Sequence, residues 1–396
     1  MKTVPNSDLK PLVHSLAREL GFDEVGVTKP AALEEGEEAI EEWVSQGRHG
    51  GMKYLEDFRA RRERFFKEIP DAKSVIVLGV NYYSKENSKT SGGQVKMKPV
   101  PPRFQGRVAR YAWGKDYHEV IRQKHEVLIA RLTEILNENF SAKSCVDIQP
   151  IPERFAAVQA GFGFLGKHTG LLHKQFGPWL FLSEIVTNLH LEEDKPTGGD
   201  CGTCNHCQTV CPTGALDEDY KIDARRCIAY LTIEHKGVIA RELRPQIKDW
   251  IFGCDECLNI CPFTSKSQET RWKEFQPEAG FGEWLPIEEL FAVSSNTQHE
   301  KKFSGTALLR TSRKQLLRNA CLVLGNSGRE DAIPYLQKAL DDPSSLVRLH
   351  AAWGLGELRF ESARQTLKRH LAQETDPDVC AEIKMAIQTL NGDLKN

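Results

Sequence analysis

Residues 199–216 read GDCGTCNHCQTVCPTGAL, and this stretch decides what kind of protein the chain is. It sets Cys201, Cys204, Cys207 and Cys211 at the spacing C-x2-C-x2-C-x3-C-P. In runs of this cadence the first three thiolates hold one 4Fe–4S cubane and the fourth serves a second. The short spacers wrap the backbone round one face of the cluster, and Pro212 turns the chain away. Further on, Cys254, Cys257 and Cys261-Pro262 repeat the pattern one cysteine short, and Cys227, in DARRCIAYL, stands ready to make up the deficit. Exchange of the last thiolate between the halves then predicts two full sets. One is Cys201, Cys204, Cys207 and Cys261; the other is Cys211, Cys227, Cys254 and Cys257. Four-cysteine zinc sites also use C-x2-C pairs, but the interlocked halves, each closed by Cys-Pro, favour two 4Fe–4S clusters. Such clusters move electrons one at a time and do not by themselves name the acceptor.

The rest of the composition supports that reading. Eight of the eleven cysteines crowd between Cys201 and Cys261 in a chain of 396 residues. Disulfides are unusual in a long chain with no export signal, so crowded thiols point to cluster ligation. The start, MKTVPNSDLKP, has no apolar leader and no twin arginine, and no apolar run reaches membrane-spanning length, so a cytoplasmic protein with no membrane partner is expected. Cys145, Cys321 and Cys380 are isolated and read as small buried hydrophobes. Hydrophobic residues make up 40% and charged residues 27%, which describes an ordinary globular chain of two or three domains. The net charge of −2 singles out no partner.

Outward from the cysteines, the N-terminal side alternates helices and strands. Leu9, Leu12, Leu16 and Leu20 share a helical face ended by Gly21; Phe22–Val27 reads as a strand, 32–46 as a helix, and SVIVLGVNYY (74–83) as a central strand. The Ser-, Lys-, Gly- and Pro-rich residues 84–103 read as a long exposed loop. A long amphipathic helix is predicted from Asp116 to Phe140 through Val120, Ile121, Val127, Leu128, Leu132, Ile135 and Leu136, then strands at 144–148 and 179–186. This alternation predicts an α/β sandwich. From about 305 the chain is helical and repeats itself. LLRNACLVLG (316–325) is echoed by LVRLHAAWGLG (346–356), AIPYLQKAL (332–340) by ARQTLKRHL (363–371), and Asp342-Pro343 by Asp376-Pro377. Stacked helix pairs of the HEAT kind have such periods, and so few copies must pack on something else.

With the clusters placed, the flanking motifs become recognisable. VDIQPIPER (146–154), AGFGFLGKHTG (160–170), the cysteine run, RRCIAYLTIE (225–234) and FGCDECLNICP (252–262) resemble the epoxyqueuosine reductase family in order and spacing. RYAWGKDYH (110–118) and the helical tail fit the same family, whose core is shared with reductive dehalogenases. The resemblance implies base-off cobalamin beside the two clusters, and reduction of epoxyqueuosine to queuosine in the anticodon loop of transfer RNA. It implies an α/β cobalamin-binding core over 1–194, an inserted bacterial-ferredoxin-like two-cluster domain over 195–270, and a linker with HEAT-like, tRNA-binding repeats over 271–396. It makes Asp147 the catalytic acid, since the opening epoxide oxygen needs a proton, and burial against corrin and Val146 is expected to favour its neutral form. Arg62, in ARRERFFKEIP beside Arg61 and Arg64, and Asp255, after Cys254, match cobalamin-facing positions, as does Asp147 itself. Glu153 is expected to pair with Arg154 or another neighbour. His49 and His118 have no metal-ligand partners at recognisable spacing, so structural or surface roles are expected for them.

Residues 301–329 hold Lys301, Lys302, Arg310, Arg313, Lys314, Arg318 and Arg329 with no acidic residue, a candidate phosphate-binding stripe; Arg310, Arg313, Lys314 and Arg318 are its core. GFGFLG at 161–166 satisfies G-x-G-x-x-G but lacks the strand–helix setting of a nicotinamide site, so an external flavodoxin- or ferredoxin-like donor is expected to feed the clusters. A monomer is expected from one substrate per site. Two alternatives compete with this reading. A soluble cobalamin-dependent reductive dehalogenase-like enzyme would have no use for basic helical repeats, and a plain two-cluster electron-transfer protein would leave the α/β region without a task.

Overall fold

The computed structural model of the chain describes residues 6–69, 71–85, 104–136 and 140–392. The strands are β1 (Glu24–Thr28), β2 (Ser74–Asn81), β3 (Gln105–Val108), β4 (Ala142–Cys145), β5 (Phe164–Leu165), β6 (Leu171–Leu172), β7 (Leu180–Thr187), β8 (Trp250–Phe252) and β9 (Trp284–Pro286). The helices preceding the cysteines are α1 (Asn6–Glu19), α2 (Glu34–Ser45), α3 (Phe58–Lys67), α4 (Tyr117–Leu136) and α5 (Glu153–Gln159). Short helices α6 (His206–Val210), α7 (Ile228–Ile233) and α8 (Glu256–Asn259) accompany the cysteines, and α9 (Ile287–Phe291) and α10 (Asn296–Phe303) lead into the repeats. These are α11 (Arg313–Asn326), α12 (Ile333–Leu340), α13 (Ser345–Leu358), α14 (Glu361–Leu371) and α15 (Pro377–Gly392). The loop expected over 84–103 lies outside the described residues beyond Lys85, as do 137–139 at the end of the long helix.

The described residues divide into two compact units. One takes those up to Lys85, Gly114–Arg225 and Asp255–Ala279; the other takes 104–113, Arg226–Cys254 and those from Gly280 onward. This departs from the three consecutive segments that the motifs suggested, because 195–270 is not a unit of its own. The reason is the stretch between Cys227 and Cys254. Ile233, Ile251 and Phe252 belong to the same apolar core as the helical repeats, so hydrophobic burial assigns that stretch to the second unit.

In the first unit the sheet order is β1-β2-β7-β4, with every pairing antiparallel. β2 is buried along its whole length. Helices α3 and α5, with Leu33 just before α2, cover one face through Phe65, Ala156 and Ala157, packed on Val75, Val77, Leu182 and Val186. α4 lies on the opposite face, where Ile121, Leu128 and Leu132 are buried. Val127 and Ile135, expected in the same apolar stripe, instead face solvent at 43% and 39% exposure. His125 takes a place in the stripe, bridging Ser144 Oγ at 2.8 Å and Ser183 Oγ at 3.0 Å. Burial pushes it down to about 3, so it serves as a neutral cross-brace between helix and sheet.

In the second unit β3 runs parallel to β8 and antiparallel to β9. The repeats bury their apolar faces on this sheet and on α7, which answers why so few copies suffice. A capping box, Ser312 with Gln315, starts α11. α11, α13 and α15 stack along a seam of small residues. A methyl at Gly325 would meet Gly354 Cα at 2.7 Å, and one at Gly356 would meet Ala386 Cβ at 2.7 Å. The seam therefore closes only where side chains are absent.

Candidate active site and cluster ligands

Asp147 follows β4 and adopts a left-handed backbone, φ 59°, a conformation that aspartate tolerates better than most residues. Three side chains fix it. Its N–H donates to Glu153 Oε1 at 2.7 Å, the Tyr117 hydroxyl donates to its Oδ2 at 2.7 Å, and His118 Nε2 lies 3.2 Å from the same oxygen. Tyr117 is held by stacking on Phe181, with ring centroids 4.4 Å apart and planes at 6°. His118 is aimed by Asp116, whose Oδ1 accepts the His118 backbone N–H at 3.0 Å and lies 2.7 Å from Nδ1. Asp116 thus caps α4 and orients its second residue at once. Burial opposes protonation of His118, but the hydrogen bonds and charges of Asp116 and Asp147 outweigh it and raise the imidazole to about 9. At neutral pH it is an imidazolium with a proton beside Asp147.

His118, read from the sequence as structural or surface, bonds Asp147. The Asp147 side chain is 38% exposed. The signal was present in RYAWGKDYH, but the 29 residues from His118 to Asp147 concealed that the two meet.

Glu153 and Arg154, consecutive at the start of α5, hold two strained residues. Glu153 takes the Asp147 N–H. Arg154 Nη1 donates to the carbonyl (2.6 Å) and hydroxyl (3.2 Å) of Thr169, which sits at φ 67°. A β-branched residue there is a genuine outlier, and such strain clusters at functional sites. The expected Glu153–Arg154 pair gives way to these outward tethers. Two residues before Thr169, the Lys167 N–H donates to Cys201 Sγ at 3.4 Å, a bond of the kind that tunes cluster thiolates. One connected wall thus joins Asp147 to Cys201.

Cys201, Cys204, Cys207 and Cys261 converge within this unit. Burial pushes the Cys207 and Cys261 thiols up, and the neighbouring thiols, Cys201 for both, add to it. Cys211 Sγ accepts the Ala215 N–H at 3.3 Å. These thiols and their N–H donors suit cubane ligation. Asp255 is buried at the start of α8, where its carbonyl accepts the N–H groups of Leu258 and Asn259.

The arginines sort differently from the sequence reading. Arg62 is turned onto Glu37, at 2.6 Å, and the Pro30 carbonyl, at 2.8 Å, with its guanidinium over Phe66. Its neighbour Arg61 is the one that reaches the Asp147 turn, donating to the Ile148 carbonyl at 3.4 Å. In the repeats, Arg318 is 0% exposed. Its five N–H donors go to the carbonyls of Leu231, His235 and Gly237 and twice to Asn319 Oδ1. No donor is left for a phosphate, so Arg318 leaves the stripe. Arg313 leaves it too, bound to the Val293 carbonyl at 2.8 Å and to Asp342 at 2.6 Å. Lys314 is exposed and Arg310 is largely so.

The family described as "4Fe-4S double cluster binding domain" matches residues 200–264. With this match beside the hydrogen-bonded cluster around Asp147, fold and site define an iron–sulfur oxidoreductase. The chain is 34% identical to an epoxyqueuosine reductase of Xanthomonas campestris over 89% of its own length and 96% of the relative's, and 34% identical to that of Escherichia coli over 88% and 90%. It belongs to the epoxyqueuosine reductase family. The family described as "Epoxyqueuosine reductase QueG, DUF1730" matches residues 62–148, and "HEAT repeats" matches 305–388. Two solved structures are similar at TM-score 0.86 and 28% identity, covering 98% of this chain and 100% of theirs. One is an epoxyqueuosine reductase with an epoxyqueuosine-modified tRNA stem loop; the other, from Bacillus subtilis, has an aspartate catalytic loop swung out of the active site. Among the described residues no helix is long and apolar enough to cross a membrane.

Proposed function

We propose that the protein reduces epoxyqueuosine to queuosine in the anticodon loop of transfer RNA, with Asp147 delivering a proton to the departing oxygen. The single observation that carries this is the strained, doubly tethered wall running from Asp147 through Glu153–Arg154 and Thr169 to the thiolate of Cys201. It sets a proton donor and an electron source on one rigid frame. The net reaction breaks both C–O bonds of the epoxide, forms a C=C bond and releases water, consuming two electrons and two protons. Electrons come from two 4Fe–4S clusters, which we assign to Cys201, Cys204, Cys207 and Cys261, and to Cys211, Cys227, Cys254 and Cys257.

Cobalamin, in its base-off form, is the group we assign to the acid's side of the first cluster. The residues present fit it. Ile148, 66% exposed, stands directly beside the half-exposed carboxylate of Asp147, an apolar face next to an acid. When bound, cobalamin supplies a strongly reducing centre that cleaves C–O bonds. Arg62 and Asp255 stay as proposed contacts, joined by Arg61 at the turn. The chain's own part is proton chemistry. Tyr117 and the His118 imidazolium orient Asp147, and the Glu153 carboxyl fixes the turn by accepting the Asp147 N–H. The anticodon stem-loop docks with help from Arg310 and Lys314, and a flavodoxin- or ferredoxin-like donor feeds the clusters of a cytoplasmic monomer.

The test is conversion of epoxyqueuosine-containing tRNA by anaerobically reconstituted protein carrying Asp147→Asn. Shape and hydrogen bonding survive while the transferable proton is lost, so turnover falls ~10²-fold or more, with clusters, corrin absorbance and tRNA binding retained. Near-wild-type single turnover would remove Asp147 as the acid; clusters with no retained corrin would point to a plain electron carrier.

A further inference from the structure

Strand β7 lies between β2 and β4, and its side chains alternate between the two faces of the sheet. Ser183 faces α4 and bonds His125. Glu184 faces the other way, into the apolar layer that holds Leu182 and Val186 under α5. Its cross-strand neighbours in register are Val77 on β2 and Cys145 on β4. Glu184 is 0% exposed, and neither carboxyl oxygen has a hydrogen-bond partner. Leucine or methionine would fill this place without penalty, whereas an unpaired buried carboxyl destabilises the fold. Such a residue, set in the middle of a sheet, calls for an explanation.

The titratable groups facing it are acids and a thiol: Glu153 from α5, Asp147 beyond the end of β4, and Cys145. β2 contributes Val77; the charges of Arg154 and His118 pull Glu153 the other way, and that of Lys143 pulls on Cys145, without outweighing burial. Burial, then the charges of Glu153 and Asp147, push Glu184 well above the usual carboxylate range. Glu153 is itself pushed up to about 8 by burial and by Asp147. Two neighbouring carboxyls of this kind titrate as a pair, and both are held toward the protonated form. We propose that Glu153 and Glu184 form a buried proton store behind the Asp147 turn, which recharges Asp147 within each turnover. This rests on the reductase reading, because deoxygenation consumes two protons and the Asp147 carboxyl carries one. In the step, the alkoxide oxygen takes the Asp147 proton. Asp147 then receives a proton from Glu153, Glu153 is resupplied from Glu184, and solvent refills the pair after water has left. Glu184 touches no reacting atom; it is a positioning residue for protons and acts through Glu153.

The test uses the full chain with both clusters, comparing wild type with Glu184→Gln and Glu184→Met. Infrared spectra at neutral pH should show the carbonyl stretch of a protonated, unpaired carboxylic acid, shifted in deuterium oxide and lost in both variants. Glu184→Met should be at least as resistant to denaturant as wild type, which separates a proton store from a structural strut. Single-turnover conversion of epoxyqueuosine tRNA should slow about tenfold or more in both variants above pH 8, with little change in acid and with substrate affinity kept. An absent band, a band that survives Glu184→Gln, or unchanged pH–rate profiles would overturn the store. Absence of conversion by wild type would instead sink the reductase reading, and this role with it, while leaving the infrared band in place.

Discussion

Replacing His118 by glutamine tests the charged hydrogen bond on Asp147 most directly. In the folded chain the imidazole titrates at about 9 against an ordinary 6.5, because burial is outweighed by Asp116 and Asp147. The fold therefore favours the charged form, and the stabilisation is complete below pH 6.5 and fades as pH rises through 9. A shift of that size corresponds to about 3 kcal/mol at ~1.4 kcal/mol per pH unit. Asp147 is 38% exposed, so solvent screening reduces the stability share to about half of that. Denaturant unfolding of wild type should thus weaken by ~1–2 kcal/mol across that window, whereas His118→Gln should show a flatter profile. Spectra of carbon-13-labelled histidine should place one imidazole, absent from His118→Gln, near 9. Wild-type turnover should fall on the same alkaline limb, as Asp147 loses its charged donor. A His118 resonance titrating at the ordinary value, or equal pH slopes in wild type and variant, would refute the reasoning.

Cys227→Ala should cost one cluster and leave the set completed by Cys261, so iron analysis should find about four irons in place of eight, as two cubanes demand; eight fully reducible irons would strike Cys227 from the ligands. Arg318→Met should orphan three carbonyls and destabilise by about 3–5 kcal/mol, read from denaturant midpoints, without altering the tRNA affinity of the folded fraction. Arg310→Ala with Lys314→Ala should do the reverse, leaving stability alone and lowering the salt slope of tRNA binding by roughly 0.7–0.9 per lost phosphate contact; an unchanged slope would move the docking surface elsewhere.

The cysteine cadence was legible because ligation fixes spacing along the chain, and β2 because a run such as SVIVLGVN has few other fates. Most strand ends fell within a residue or two, but β4 closes at Cys145, three residues before the expected end, so that Asp147 lies beyond the strand. What the sequence concealed were meetings across distance. Tyr117 and His118 sit in a motif already singled out, yet nothing local says that they face Asp147. Glu184 is the charged residue within β7, but β7 is central and covered on both faces, so alternation does not mark exposure there. Counting charges misread Arg313 and Arg318 for another reason. The count treats a helix as having a wet face, and α11 is buried nearly all round, from Gln315 to Gly325. The better clue was that Arg318 and Asn319 interrupt an apolar run, which marks an inward polar cross-link rather than a ligand for phosphate.

The glycine seam of α11, α13 and α15 works like a set of vertebrae without cartilage. Since backbone meets backbone there, the distance between successive repeats is set by atoms that cannot change rotamer. One added methyl, as in Gly354→Ala, would press on the Cys321 carbonyl at 3.0 Å and open the stack on one side like a hinge pin thickened at one end. The tilt would add up along the helices that follow. The stack thereby gains a built-in gauge: its pitch is fixed by the residue with nothing to adjust.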